Sequence, residues 1–161
     1  MKRLHDASIW DKPWFRKLAP IDKCAFGFIK DKCDNVGVWV PDFESAEFFI
    51  GAEVDWEALP EKLNGNIRIL DNGKWFLVDF CEFQHKDLIS GSTSNACKSY
   101  VSLLLKHDLL QGFMEKYEGF AKPWGSLCEG YRVREEVKVK EEAREEIDFE
   151  AMKKIIKHVG E

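Results

Sequence analysis

The side chains that commonly serve as nucleophiles, bases or metal ligands are dispersed along this sequence. They are His5, His85, His107 and His158, and Cys24, Cys33, Cys81, Cys97 and Cys128. No two histidines have the spacing that places two metal ligands on one helix face, and no Cys-x-x-Cys pair is present. The conceivable pairs of nucleophile and base are Cys81 or Cys97 with His85 or His107. Because cysteines on apolar faces are usually inert, we expect free buried thiols, no metal site and no enzyme.

Two further kinds of catalytic site have no counterpart in the sequence. Gly27, Gly125 and Gly130 are isolated, and no Gly-x-x-x-x-Gly-Lys-Ser or -Thr loop that would hold a phosphate occurs. Acidic side chains are dense in residues 135–146, but they alternate with lysines and arginines, which is typical of a solvated helix. The sequence therefore predicts a binding protein that needs no cofactor.

The charge balance restricts any contact with nucleic acid to a few positions. The net charge is −5 at pH 7 and the isoelectric point is about 5.5. Phosphate binding depends on clustered lysine and arginine, so a DNA contact of this chain would have to be local. The candidate DNA-binding residues are Lys62, Asn64, Asn66, Arg68, Asn72 and Lys74. Nearby side chains that would repel phosphate are Glu53, Asp55, Glu57 and Glu61, so packing against protein is the alternative role of this region.

Apolar side chains recur at helical spacing in the segments before the candidate DNA-binding residues and into the first of them. This spacing predicts helices over residues 21–33, 42–50 and 55–64. Asp42 is a suitable N-cap for the second of these helices. Pro60 lies near the second turn of the third, where the missing N–H and the ring would shorten or kink the helix.

A β-hairpin is the strongest local signal in the chain. Within residues 66–84, two runs rich in β-branched and aromatic side chains flank Asp71-Asn72-Gly73. Residues 36–40 are predicted to form another short strand. Paired helices followed directly by a hairpin indicate an α+β fold of the winged-helix type. In DNA-binding winged helices the second of the paired helices enters the major groove and the hairpin contacts backbone or minor groove, which is why the six polar residues above are candidates.

The remaining segments support or extend this unit. Residues 1–20 should form a helical turn that packs aromatic side chains on the main body. A polar, mobile loop is expected over residues 85–95, followed by a helix over residues 97–110 capped by Ser94 or Asn95. Residues 113–131 are expected to be an irregular connection.

The C-terminal part of the sequence separates into a linker and a short amphipathic segment. Residues 132–147 are highly charged and are predicted to be a solvated linker after a domain of residues 1–131. Residues 148–161 recover a helical apolar stripe, which needs a partner surface. The stripe consists of Phe149, Met152, Ile156 and Val159, the candidate protein-interaction residues.

Several short motifs in their order resemble the N-terminal domain of phage and prophage replication proteins of the replisome-organiser, or DnaD-like, group. They are Trp14-Phe15, Asp31-Lys32-Cys33-Asp34 leading to Gly37-Val38-Trp39, Phe49-Ile50-Gly51, Gly73-Lys74-Trp75-Phe76, and Phe80-Cys81-Glu82-Phe83-Gln84. The resemblance extends from Trp10 to about Leu110. It implies a winged-helix domain, often self-associating, in a protein that binds origin DNA or helps to recruit helicase machinery.

Members of that group often continue through a charged linker into a second domain. About fifteen residues follow Glu146 here, so we expect a truncated relative or an accessory protein. The partners expected are DNA, through local contacts, and a second copy or a replication protein bound through the C-terminal stripe. The alternative is an interaction or dimerisation module, or a transcriptional regulator, without enzymatic activity. No apolar run is long enough to span a bilayer and no signal-peptide pattern is present, so a cytoplasmic location is expected.

Overall fold

The computed structural model describes residues 3–120 and 122–124, which form an α+β fold. A 3-10 helix over Ala7–Asp11 comes first. The α-helices are α1 (Pro13–Arg16), α2 (Pro20–Lys32), α3 (Phe43–Ile50), α4 (Leu59–Lys62), α5 (Phe80–Gln84), α6 (Lys86–Ile89), α7 (Asn95–Lys106) and α8 (Leu110–Lys116). The strands are β1 (Val38–Trp39), β2 (Ile67–Ile69) and β3 (Trp75–Leu77). None of the helices in this part of the chain has the length and hydrophobicity that crossing a bilayer requires.

The three strands form one antiparallel sheet in the order β1–β3–β2. Trp39 of β1 and Ile69 of β2 both pair with Trp75 of the central strand. Val38 and Arg68 pair in the same way with Phe76. Because directly opposed residues of an antiparallel sheet lie on the same face, the first set shares one face and the second set the other.

The predicted hairpin is confirmed, and its turn explains the Asp-Asn-Gly signal. The amide of Gly73 donates to the carbonyl of Leu70 at 2.8 Å, and the amide of Leu70 donates to the carbonyl of Lys74 at 2.8 Å. Gly73 has φ +76°, a conformation that costs glycine little and most other residues more. The sequence of the turn therefore fixes the register of β2 against β3.

The first two helices of the predicted unit are confirmed within one or two residues. In α3, the Asp42 carboxylate accepts a hydrogen bond from the amide of Ser45 at 3.1 Å, as an N-cap does. Gly51 ends the same helix with φ +80°. The helix α2 buries Ala25, Phe26 and Ile29 against the rest of the core.

The third helix is much shorter than the sequence predicted. It was expected over residues 55–64, whereas α4 begins at Leu59 and ends at Lys62. Pro60 lies in the first turn of α4, where its missing N–H has no helical partner to lose. The preceding residues form a turn instead, in which the Asp55 carboxylate accepts from the amide of Ala58 at 3.1 Å.

The end of the predicted hairpin region is helical, which is a correction to the prediction of a β-rich run up to Gln84. The strand β3 ends at Leu77 and α5 begins at Phe80, which is buried together with Cys81. Phe80 lies against Gly37, where an added Cβ would be 2.6 Å from the Phe80 Cβ. A run of five residues is too short for its apolar spacing to distinguish a strand from a helix, and in the helix the consecutive side chains of Phe80 and Cys81 are both buried.

Two other segments are more ordered than the sequence indicated. Residues 85–95 contain α6, whose Leu88 is fully buried. Residues 113–131, expected to be irregular, contain most of α8 and helical residues at 118–120 and 122–124. Phe120 and Trp124 are buried there, so this stretch contributes to the core. The helix α7 begins as predicted, with the Ser94 hydroxyl accepting from the amide of Cys97 at 3.3 Å.

The two C-terminal segments predicted from the sequence, residues 132–147 and 148–161, lie outside the described residues. The N-terminal prediction is confirmed, because Phe15 and Leu18 are buried and Trp14 packs edge-to-face on Phe26 at 5.5 Å. The described residues share one apolar core.

Candidate interaction surface

Lys62, one of three cations among the candidate DNA-binding residues, is already paired within the protein. The Lys62 ammonium lies 3.3 Å from the Asp22 carboxylate and 3.9 Å from the Asp55 carboxylate. Asp22 is only 3% exposed, so its charge needs a partner. Lys62 therefore has a structural role at the C-terminal end of α4, and less of its charge is available to a phosphate.

The two asparagines after α4 shape the connection to β2. Asn64 is exposed and has φ +52°, a left-handed conformation that asparagine tolerates better than most residues. The side-chain amide of Asn66 donates to the carbonyl of Leu63 at 2.7 Å. Both residues have clear conformational roles in ending the helix and starting the hairpin.

The hairpin presents the remaining candidates. Arg68 is exposed, and its guanidinium lies 5.4 Å from the centre of the Phe76 ring on the neighbouring strand. The Asn72 carboxamide oxygen accepts from the amide of Lys74 at 3.2 Å, which stabilises the turn. Arg68 and Asn72 line one cleft together with Asp71 and Asp108. The structure thus brings Arg68, Asn72 and Lys74 onto one hairpin, and Lys62 lies on a separate element.

An acidic stretch separates α2 from Lys62. Between Lys32 and Lys62 the sequence has no lysine or arginine. Its acidic residues are Asp34, Asp42, Glu44, Glu47, Glu53, Asp55, Glu57 and Glu61. Hydrogen bonds from Ser45 lower the pKa of Asp42, which keeps that N-cap ionised. The surface formed by α3, α4 and the loop between them is therefore negative, which opposes the approach of DNA phosphates.

Apolar side chains are exposed beside this negative charge. Phe48 and Phe49 on α3 are 80% and 66% exposed. Phe49 stacks on Phe28 of α2 with ring centres 6.3 Å apart, and Phe48 meets Phe49 edge-on at 5.4 Å. Lys32 covers one side, with its ammonium 5.0 Å from the centre of the Phe49 ring. We call Phe28, Phe48 and Phe49 the α3 aromatic surface.

A second aromatic group packs around Phe43, the first residue of α3. It consists of Trp39, Phe43, Trp56 and Trp75, whose ring centres are 5.0–6.1 Å apart in neighbouring pairs. The Glu47 carboxylate fixes this group, because it accepts from the Trp56 indole N–H and from the amide of Val54, both at 3.0 Å. Trp39 also contacts Phe28 at 6.4 Å, so the group is continuous with the α3 aromatic surface.

The sequence did not single out Phe48 and Phe49 as interaction residues. In α3, Phe43, Ala46, Phe49 and Ile50 follow a helical spacing, which is typical of a helix face that packs on a core. Among these four, Ala46 alone is buried. The signal that could have identified Phe48 and Phe49 is the absence of lysine and arginine between Lys32 and Lys62, because an apolar helix in a stretch whose charged residues are all acidic is suited to a protein partner.

The cysteines and histidines considered for catalysis have packing roles in the described residues. Burial raises the pKa of both Cys33 and Cys81 to about 12, so these thiols are protonated. The Cys81 thiol donates to the carbonyl of Val36 at 3.6 Å. The His85 ring stacks on Tyr100 and its Nε2 lies 2.7 Å from the carbonyl of Asn35. Among the residues described, no group of three His, Cys, Asp or Glu side chains could hold a metal ion.

The predicted protein-interaction residues Phe149, Met152, Ile156 and Val159 lie outside the described residues. Comparison of the chain with protein-family models, with curated proteins and with solved structures finds no significant match.

Proposed function

We propose that this chain is a winged-helix protein of the phage replication type, which acts by binding DNA locally and by contacting other proteins. The observation that carries the proposal is the order α2–β1–α3–α4–β2–β3 with the sheet order β1–β3–β2. In winged-helix domains the first strand pairs with the second strand of the hairpin. Two helices lie in sequence between that first strand and the hairpin. The resemblance of the sequence to replisome-organiser proteins supports the same assignment.

The hairpin is the part of this unit best suited to DNA. Arg68 is exposed on β2, and Lys74 follows the turn on the same hairpin. By contrast, α4 is one short turn whose lysine is paired with Asp22, and the residues before it are acidic. Arg68, Asn72 and Lys74 are therefore the residues that contact DNA. They contact its phosphate backbone, which positions the protein without reading the bases. Such binding should be weak and should decrease steeply with salt.

Fluorescence anisotropy of the full chain with labelled duplex and single-stranded oligonucleotides tests this proposal. We expect micromolar binding at low salt, weakened by about tenfold when Arg68→Ala and Lys74→Ala are combined, because two phosphate contacts are lost. The matched control combines Lys98→Ala and Lys106→Ala, exposed residues of α7 that change the net charge equally. Absence of binding at tens of micromolar protein, or equal weakening by both pairs, would contradict the proposal.

A second candidate is a winged-helix interaction module that does not contact DNA. The acidic stretch and the α3 aromatic surface favour it, since exposed contiguous apolar side chains mark protein-binding sites. Light scattering on the full chain distinguishes this candidate when the anisotropy experiment shows no binding. A stable oligomer that dissociates on Phe149→Glu would support a protein-docking module, whereas a monomer that also fails to bind DNA would contradict it.

A further inference from the structure

The α3 aromatic surface needs a cover that the described residues do not provide. Phe48 is 80% exposed. Among the residues that the structure describes, the one aromatic ring that contacts the Phe48 ring is that of Phe49. Transfer of two phenylalanine side chains out of water is favourable in proportion to the area buried. A segment that lies across Phe48 and Phe49 would therefore be held by a clear hydrophobic gain.

The charge of the neighbouring surface restricts what can cover it. A second copy that presents the same surface would place two acidic stretches against each other, which is unfavourable. A nucleic acid would be repelled for the same reason. The fitting occupant is an apolar segment that carries lysines, because its charge complements that of residues 33–61.

Residues 148–161 of this chain contain such a segment. Their apolar stripe consists of Phe149, Met152, Ile156 and Val159. Asp148, Glu150 and Glu161 balance Lys153, Lys154 and Lys157 over the whole segment, but within residues 151–160 the lysines carry all of the formal charge. We propose that residues 148–161 cover the α3 aromatic surface of the same chain, with the apolar stripe on Phe48 and Phe49 and the lysines toward the acidic stretch.

The length of chain between the two parts favours contact within one molecule. Residues 125–147 connect Trp124, at the end of the described part, to the apolar stripe. At full extension they reach roughly 75 Å, more than the diameter of a domain of this size. A tether of this length gives an effective concentration in the millimolar range, so contact within a chain outcompetes contact between chains at micromolar protein.

Site-specific photo-crosslinking in the full chain tests the proposal. Phe48 is replaced by p-benzoylphenylalanine, unlabelled and nitrogen-15-labelled chains are mixed, and crosslinked peptides are identified by mass spectrometry after illumination. We expect crosslinks from position 48 to residues 148–161, with both peptides of each crosslink from one isotopic population. No DNA is present, so the outcome is independent of DNA binding.

Two variants make the assignment specific. Combining Phe149→Glu with Ile156→Glu should lower the yield of these crosslinks by about tenfold, because the apolar contact is lost and acidic groups face an acidic surface. Combining Val137→Glu with Val139→Glu, which adds the same two acidic groups outside residues 148–161, should leave the yield unchanged. Crosslinks only to other segments, crosslinks that join the two isotopic populations, or an unchanged yield in the double variant would overturn the proposal.

Discussion

The carboxylate of Asp34 and the imidazole of His107 lie 2.7 Å apart, although 73 residues separate them in sequence. The other oxygen of the Asp34 carboxylate accepts from the amides of Val36 and Val38, each at 2.9 Å. His107 is buried at the end of α7. This pair therefore joins the turn before β1 to the helix that follows the hairpin region.

Replacing Asp34 should destabilise the protein strongly. Asp34→Ala removes the acceptor for two amides and leaves the buried imidazole without its partner, so we expect the free energy of unfolding to fall by about 2–4 kcal/mol. Urea denaturation measures the change. Asp31→Ala, at an exposed position of α2, is the control and should change the same free energy by less than about 0.5 kcal/mol. Equal effects of the two substitutions would contradict the role given to Asp34.

Gly37 should not tolerate a side chain. Its φ is +91°, and a Cβ would lie 2.6 Å from the Cβ of Phe80, so Gly37→Ala forces both an unfavourable backbone conformation and a clash. We expect a loss of about 2–4 kcal/mol in the free energy of unfolding. Gly27→Ala provides the contrast, because an added Cβ meets nothing within 4 Å in the middle of α2. That substitution should stabilise by about 0.5–1 kcal/mol. An unchanged free energy of unfolding in Gly37→Ala would count against the close packing of Phe80 on Gly37.

Lys62 should affect stability more than DNA binding. Lys62→Ala leaves the buried Asp22 carboxylate without its ion pair, and the partial exposure of the lysine limits the loss to about 1 kcal/mol. Urea denaturation of this variant is compared with that of Arg68→Ala, which should differ little from the unsubstituted protein. In anisotropy the order should reverse, with Arg68→Ala the weaker DNA binder. If Lys62→Ala abolished DNA binding while the fold stayed intact, α4 would be the contact element after all.

The stability should fall in mild acid, partly through His85. Burial of the ring is the main cause that lowers the pKa of His85 below its ordinary value of about 6.5. The unfolded chain then binds a proton more readily than the folded one, so the contribution of the neutral ring is complete above about pH 6.5 and is lost as the pH falls through the folded pKa. Thermal unfolding at pH 7 and pH 5 measures this loss as a decrease in Tm.

The contribution of His85 is isolated by comparing variants across the same pH range. His85→Gln should show a smaller decrease in Tm between pH 7 and pH 5 than the unsubstituted protein. His5→Gln, at an exposed position, should keep the original decrease. A pH dependence that is the same in all three proteins would show that His85 does not titrate differently on folding.

Elements with local signals were predictable from the sequence. The α2 periodicity, the Asp42 cap with Gly51, and the Asp-Asn-Gly turn each depend on residues close together in the chain. The helix α5 was not predictable in this way, because a segment of five residues is too short for its apolar spacing to distinguish a helix from a strand. The order in the folded segments after His85 likewise depends on burial of side chains such as Leu88 and Phe120 in a core assembled from distant elements.

The candidate site was predictable only in part. The type and order of the hairpin residues identified Arg68, Asn72 and Lys74 as neighbours. The pairing of Lys62 with Asp22, forty residues earlier, could not be inferred from spacing. Nor could the exposure of Phe48 and Phe49, since an apolar helix face looks the same in sequence whether it faces the core or a partner.

The most direct test of a DNA-binding hairpin is a nuclear magnetic resonance titration of the nitrogen-15-labelled full chain with a short duplex at low salt. The amide signals of residues 67–75 should shift in proportion to bound DNA, and those of α3 and α7 should not. The shifts should disappear as salt is raised from about 50 to 200 mM. Shifts confined to α3 or α7, or no shifts at saturating duplex, would contradict the proposal that this hairpin contacts DNA.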